Sequence, residues 1–342
     1  MPQIKQRLAW LDIAKAITIL LVVFGHTLRG GMAQQIVYAF HVAAFFLLSG
    51  ITCKTDDLKK RIKNDFLRIL VPYYSFSILS ILIFAVLGKF AAGKFDLDVN
   101  TSLGFNLAGM LYGCPAGGHL KYNTPLWFLP CLFATKMLYY GIHKLCRGKQ
   151  LPVFLCSLGL AAVSFVYTRL GGPGLPFNLA VACKMLLFFS LGRIFFLQLS
   201  KIQARLSLPL LVGMVLLVIT GVIACFAPKM DYATDHFPNI GTFLITTLTG
   251  SFGICFLSMG VGSCKWAEYV GRTTLSILVM HKFPILVFQT IGPQKALLAQ
   301  YDSPAGIVLA IGISIITIVL CLVADWVIRR YFRFLLGDFK KT

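Results

Sequence analysis

The apolar residues of this chain fall into runs of about 20, the length of helix that crosses a ~30 Å hydrocarbon core. Ten runs can be marked: 10–28, 36–53, 70–88, 125–143, 152–168, 177–197, 207–227, 239–261, 271–291 and 305–327. Inside lipid every backbone N–H and C=O must be paired within the protein, and a helix pairs them within one segment. The fold expected is therefore all-α and integral to the membrane, with about ten transmembrane helices in one polytopic domain over 1–342. Composition agrees. Of 342 residues 58% are apolar and 13% charged, where soluble domains carry about 25% charged, and mean hydropathy is +0.80. No internal repeat or linker interrupts the runs, and 100–113 reads as a loop or a re-entrant piece.

Orientation follows from the basic residues. With the N-terminus inside, and Arg193 and Arg272 near the span ends counted with the adjacent segments, the cytoplasmic side holds 21 Lys and Arg and the outer loops 7. That bias predicts that both termini are cytoplasmic. The net charge of +20 is then a topology signal with added attraction to anionic lipid headgroups. Spread over short separate loops, it makes no nucleic-acid surface. Lys5 and Arg7 give the first span the look of a signal peptide, but its interior holds Asp12, Lys15 and His26 and no small-x-small cleavage site follows, so it is retained. The ten cysteines form no C-x-x-C pair and suggest neither a disulfide scaffold nor a zinc site.

An ionisable group inside the bilayer costs several kcal/mol, so each one needs a reason. Lys15 and His26 are eleven residues apart, which is three turns plus about 20°, and Asp12 lies about 40° from His26. The three share one stripe, with Lys15 and His26 roughly 16 Å apart along the axis. Snorkelling explains Lys15 alone, with Asp12 as partner, and inter-helix hydrogen bonding explains His26 alone. Their common face favours a joint role. His41 on the second span lies at the depth of His26, but no further ligands have useful spacing, so no metal is expected. Leu58, Ile62, Phe66 and Ile69 mark one face of an interfacial helix over about 55–68, capped by Thr55 or Asp56, with Pro72 opening the next span. Its cations Lys59, Lys60, Arg61 and Lys63, with Arg68, suit lipid headgroups or an anionic cytoplasmic ligand. Pro125 is a natural start for span 4, Trp127 suits the outer aromatic belt, and Pro130 is expected to loosen a turn. In span 9, Thr274 and His281 share a face, while Lys282 points about 100° away.

Five pieces occur in an order that resembles the acyltransferase 3 family of membrane O-acyltransferases, in particular its fucose 4-O-acetylase-like branch. They are D-I-A-K-x10-H at 12–26, A-F-H-x4-F-x-L-S-G at 39–50, R-I-L-V-P-Y-Y at 68–74, P-L-W-F-L at 125–129 and G-R-T-T-L-S-I-L-V-M-H at 271–281. In that family ten residues separate a basic residue, usually Arg, from a first-span histidine. Here the pair is Lys15 and His26, and Lys in place of Arg removes a planar bidentate donor. The resemblance implies a multi-pass protein of the bacterial inner membrane. It implies transfer of an acetyl group from cytoplasmic acetyl-CoA, a co-substrate, to a hydroxyl of an envelope glycan or lipid-linked sugar, with no bound cofactor. His26, Lys15 and Asp12 would be catalytic, and Lys59, Lys60, Arg61, Lys63 and Arg68 would hold the donor's phosphates. His41, Trp127, His281, Ser49 and Thr274 would line the acceptor side. His26 would act as general base or as a transient acyl carrier. Some relatives carry a fused extracytoplasmic esterase-like domain; with about 15 residues after the last span, this chain is expected to work alone or with a separate partner.

The residues taken alone also fit a proton-coupled transporter or a flippase of a glycan precursor, which broken helices in paired positions would favour. Pro130 is one break without a counterpart. A scaffold or sensor is disfavoured by the number of buried ionisable groups.

Overall fold

The computed structural model describes residues 8–90, 102–290, 300 and 302–339. Lys5, Arg7 and the last residue of the expected ninth span lie outside them. The helices are α1 (Ala9–Thr27), α2 (Gly31–Tyr38), α3 (His41–Ile51), α4 (Leu58–Asp65), α5 (Val71–Phe90), α6 (Leu103–Tyr112), α7 (Phe128–Leu145) and α8 (Gln150–Arg169). They continue as α9 (Leu179–Leu197), α10 (Leu199–Arg205), α11 (Pro209–Phe226), α12 (Ile240–Val261), α13 (Lys265–Arg272), α14 (Thr274–Met280), α15 (Lys282–Thr290) and α16 (Pro304–Tyr331). Among the described residues, eight helical stretches are long and apolar enough to cross a membrane. The protein is all-α and integral to the membrane. The other two expected spans take different forms, span 4 as α7 with Lys136 in its interior and span 9 as the interrupted run α13–α14–α15.

α1 is the central post. It packs against α2, α3, α12, α13, α14, α15 and α16, while α3 leans on α9, and α9 carries α7 and α8. Burial follows: 61% of the apolar window of α1 is inside the protein, against 17% for the peripheral α11. Close contact depends on glycine, as in membrane helix packing generally. A Cβ on Gly271 would lie 1.9 Å from the Asp12 carbonyl oxygen, and one on Gly192 would lie 2.1 Å from that of Leu47. The backbones of α13 and α1, and of α9 and α3, therefore touch.

Three elements differ from the sequence-based expectation. The second span is two helices, broken at Ala39–Phe40, where Phe40 leaves helical geometry at φ −150°. The Ala39 carbonyl freed by the break accepts from the hydroxyls of Tyr232 (3.0 Å), Thr246 (3.3 Å) and Thr247 (3.4 Å). The basic helix is not a separate element over 55–68: α4 starts at Leu58, capped by Asp57 accepting from the Lys60 N–H at 3.2 Å. It then runs through a π-helical turn, Phe66–Leu70, straight into α5. Pro72 cannot donate to a preceding carbonyl, and the ladder widens into the π turn just before it. Pro130 sits in the first turn of α7, where a missing N–H breaks no intrahelical bond. It loosens nothing, and Pro125 lies in the 3-10 stretch Lys121–Trp127 that leads into α7.

One buried ion pair ties the loop between α11 and α12 to the bundle. Lys184 of α9 is fully buried, and its Nζ donates to both Asp235 carboxylate oxygens at 2.8 Å and to Thr168 Oγ1 at 2.9 Å. The ammonium also lies 5.0 Å from the centre of the Phe165 ring. Removing one partner of a buried pair strands the other's charge, at about 3–5 kcal/mol. Asp235→Ala is therefore expected to lower the unfolding temperature of the purified protein sharply, and Lys184→Met combined with Asp235→Leu to cost much less. Equal losses in the two variants would remove the pair from this structural role.

Candidate active site

The polar residues of α1 stand in two groups. Near its N-terminus Asp12 is buried and lies 3.7 Å from Lys15 Nζ and 3.6 Å from Arg272 Nε. Arg272 also reaches Glu268 at 3.1 Å. Lys15 lines a cavity together with Arg68, Ser49 and Thr274, whose inner wall is apolar and includes Ile19, Phe45 and Leu278. Arg68 arrives there from the π turn. Ser49 and Thr274, expected on the acceptor side, thus share a cavity with the residues expected to meet the donor. Of the α4 cations, Lys59, Lys60 and Lys63 are exposed, and Arg61 is engaged by Asp56 at 2.8 and 2.9 Å. That guanidinium holds the Asp56 carboxyl below its usual value. Asp65, one turn along α4, is held by Lys136 and by Tyr140 Oη at 2.7 Å.

At its C-terminal end, α1 finishes on four backbone carbonyls that need donors. Phe24 O takes the Leu28 N–H, Gly25 O takes Gln34 Nε2 at 2.9 Å, and Gln289 Nε2 serves His26 O and Thr27 O at 3.0 and 2.9 Å. These bonds fix the turn that carries His26. Its ring centre lies 5.2 Å from that of His281 and 6.0 Å from that of Tyr38, whose hydroxyl is 3.3 Å from His26 Nδ1. Tyr38 in turn lies 5.1 Å from His41, and His41 lies 6.5 Å from Tyr232. His26, His41 and His281 therefore share one chain of rings.

Hydrogen bonds assign two of the tautomers. His41 Nδ1 lies 2.7 Å from the Val37 carbonyl and His281 Nδ1 lies 3.0 Å from the Ile277 carbonyl. A carbonyl only accepts, so Nδ1 carries the proton in both rings and Nε2 presents a lone pair. His281 Nε2 is buried and has no partner.

The family model described as acyltransferase domain, Acyl_transf_3, matches residues 8–326. The chain belongs to the acyltransferase 3 family. No curated protein and no solved structure matches it. It is a multi-pass membrane acyltransferase. The matched range takes in both polar groups on α1, the cavity that starts at Lys15, and the three clustered histidines.

Within this acyltransferase several site residues are not evident from spacing. Arg272 directly follows the glycine that touches Asp12, and a buried carboxylate asks for more than one cation. Tyr38 sits three residues before His41, so the helix break turns both toward His26. Lys282 is within electrostatic reach of His26 and of His281, its neighbour in the chain, despite its angle on an ideal helix. Trp127 is buried rather than facing lipid, with its ring 6.4 Å from that of Phe128, which lines the cavity. Among the described residues no group of three or more His, Cys, Asp or Glu is placed to hold a metal. The tautomers are open to measurement. Nitrogen-15 histidine spectra are expected to show His41 and His281 protonated at Nδ1, and an Nε2–H signal for either would overturn the assignment.

Proposed function

We propose that the protein transfers an acetyl group from cytoplasmic acetyl-CoA to a hydroxyl of an envelope glycan or lipid-linked sugar in the bacterial inner membrane. One observation carries this reading: the cavity that begins at Lys15 and Arg68 leads along α1 toward the histidines. Its apolar lining residues Phe45 and Leu278 stand about one helical turn from His41 and His281. Ile19 lies two turns before His26 on the same face of α1. A polyanionic donor meets cations at one end, and its long pantetheine arm has an apolar path toward the bases at the other.

In this scheme His26 takes the proton of the acceptor hydroxyl as that oxygen attacks the thioester carbonyl. The tetrahedral oxyanion collapses, the C–S bond breaks, and the proton passes to the departing thiolate. The products are the sugar ester and the free thiol. His41 and His281 show lone pairs at Nε2, and a lone pair cannot donate to an oxyanion. Their role is to accept hydrogen bonds from the acceptor's hydroxyls and so orient it. Lys282 supplies the positive charge beside the developing oxyanion. Trp127 acts through Phe128, as a wall of the donor path. Asp12 keeps Lys15 oriented and leaves His26 without a direct countercharge.

The break at Ala39–Phe40 and the division of span 9 into α13, α14 and α15 also resemble the discontinuous helices of transporters, which keeps a glycan-precursor transporter or flippase as the second reading. Formation of acetylated acceptor by the purified protein in detergent, where nothing can be transported, separates the two. In that assay His26→Ala is expected to reduce labelled acetyl transfer by about 10²–10⁴-fold, the usual worth of a general base, with normal membrane insertion. Retained transfer would take His26 out of the reaction. Neutralising Lys59, Lys60 and Lys63 together is expected to raise the donor KM, whereas an unchanged KM would make them lipid anchors only.

A further inference from the structure

A second cavity shares Lys15 with the first. Its wall is formed by Asp12 and Lys15 of α1, Thr52 and Lys54 just after α3, and Arg193 and Phe196 of α9. We infer that it is a phosphate-binding subsite, with Arg193 and Lys54 gripping the phosphate groups of the coenzyme A moiety; this rests on the acyl-CoA donor proposed above.

Charge is the first support. Three cations line the cavity against one acid, and that acid is already shared between Lys15 and Arg272. The second support is an unmet hydrogen bond. Arg193 Nε is buried without a partner, although its guanidinium carbon lies over the Phe196 ring, 5.5 Å from its centre. Leaving such a donor unsatisfied is costly, the more so when the group is charged, and a planar guanidinium matches the oxygens of a phosphate. The third support is backbone geometry. Gly192 lets α9 touch α3 at Leu47, which brings Arg193 to the end of α3 where Lys54 follows. The carbonyls at that end would repel an anion, but Thr52 Oγ1 covers those of Leu48 and Ser49 at 3.3 and 3.1 Å.

The subsite also divides the work among the cations. The exposed lysines of α4 are screened by salt beyond about 8–10 Å and act mainly by raising the local concentration of a polyanion. The partly buried Arg193, with the exposed Lys54 beside it on the cavity wall, fixes its position. Because Lys15 borders both cavities, phosphates held here lie beside the mouth of the apolar path, and the pantetheine arm need only turn past Lys15 to enter it.

The test is coenzyme A binding to the full-length protein in nanodiscs of uncharged lipid, measured by calorimetry, together with donor kinetics. Arg193→Gln and Lys54→Gln are each expected to weaken coenzyme A binding by about tenfold, a loss of ~1.4 kcal/mol. They should raise the donor KM while kcat at saturation changes little. Arg193→Lys should fall between wild type and Arg193→Gln. Lys54 is exposed, so its variant keeps the test alive if Arg193→Gln fails to fold. Lys201→Gln, on the exposed face of α10, should bind as wild type does. Unchanged affinity in both cavity variants overturns the subsite while leaving the donor intact, and an equal loss in Lys201→Gln overturns it as a general charge effect. A folded wild-type protein that binds no coenzyme A would overturn the donor reading and the subsite with it.

Discussion

Asp12 is a buried carboxylate in a helix that is otherwise almost entirely apolar, and the Lys15 end of the site depends on how its charge is met. A lone ion in low-dielectric surroundings costs several kcal/mol. Two cations answer it, Lys15 from the same helix and Arg272 from α13. The second can reach only because Gly271, its neighbour, lets the α13 backbone touch that of α1. The pair and the close approach support each other: a side chain at 271 would push Arg272 away, and a neutral residue at 12 would leave two cations without their common anion. With the N-terminal end of α1 held in this way, regular helix geometry sets the rest. His26 stands fourteen residues beyond Asp12, roughly 21 Å along the axis, and the carbonyls of its turn are met by Gln34 and Gln289.

The two interruptions beside α1 obey a related constraint. Irregular backbone inside a membrane protein is tolerated only where the freed polar groups find partners within the protein. At Ala39 three hydroxyls, from Tyr232, Thr246 and Thr247, take up the freed carbonyl. Phe40 is wedged so tightly that a Cβ on Gly250 would lie 2.3 Å from its ring. The break lets His41 begin a new helix while its Nδ1 bonds a carbonyl of the preceding one. His281 uses the same device at the junction of α14 and α15. In both, a backbone carbonyl four residues back chooses the tautomer, so the nitrogen left with a lone pair is fixed by local chain geometry and needs no carboxylate partner.

The parts legible in the sequence were those that follow from length and period. Apolar runs gave the membrane class, and 3.6-residue periodicity put Asp12, Lys15 and His26 on one stripe. The shared depth of His26 and His41 followed from counting residues on adjacent antiparallel spans. Less visible were features without a composition signal. Ala39–Phe40 holds neither glycine nor proline, so nothing local announces the break; it is stabilised by hydroxyls about 200 residues away in the chain. Prolines misled in the other direction: Pro130 falls harmlessly in a first turn, and Pro72 follows a π turn where a new helix start was expected. The pairing of Arg272 with Asp12 and the placing of Ser49 and Thr274 beside Lys15 depend on which helices meet, which one chain's periodicity does not encode.

The separation between the cation-lined end and the histidine end has a chemical consequence for the proposed reaction. Thioesters are open to hydrolysis, and a base able to activate a sugar hydroxyl can activate water equally well. Protection has to come from exclusion of water along the donor's path rather than from selectivity of the base. The wall between the two ends supplies it: Ile19, Phe45 and Leu278 are apolar, and the Phe45 and Phe128 rings, 5.8 Å apart, close part of it. Among the residues that line the cavity the charges stop at Lys15 and Arg68, while the lone pairs of His41 and His281, with Lys282 beside them, begin about a turn past the apolar lining. A polar substitution at Ile19 or Leu278 would then act on the balance between transfer and hydrolysis more than on donor affinity, since neither residue carries the charge that holds the donor.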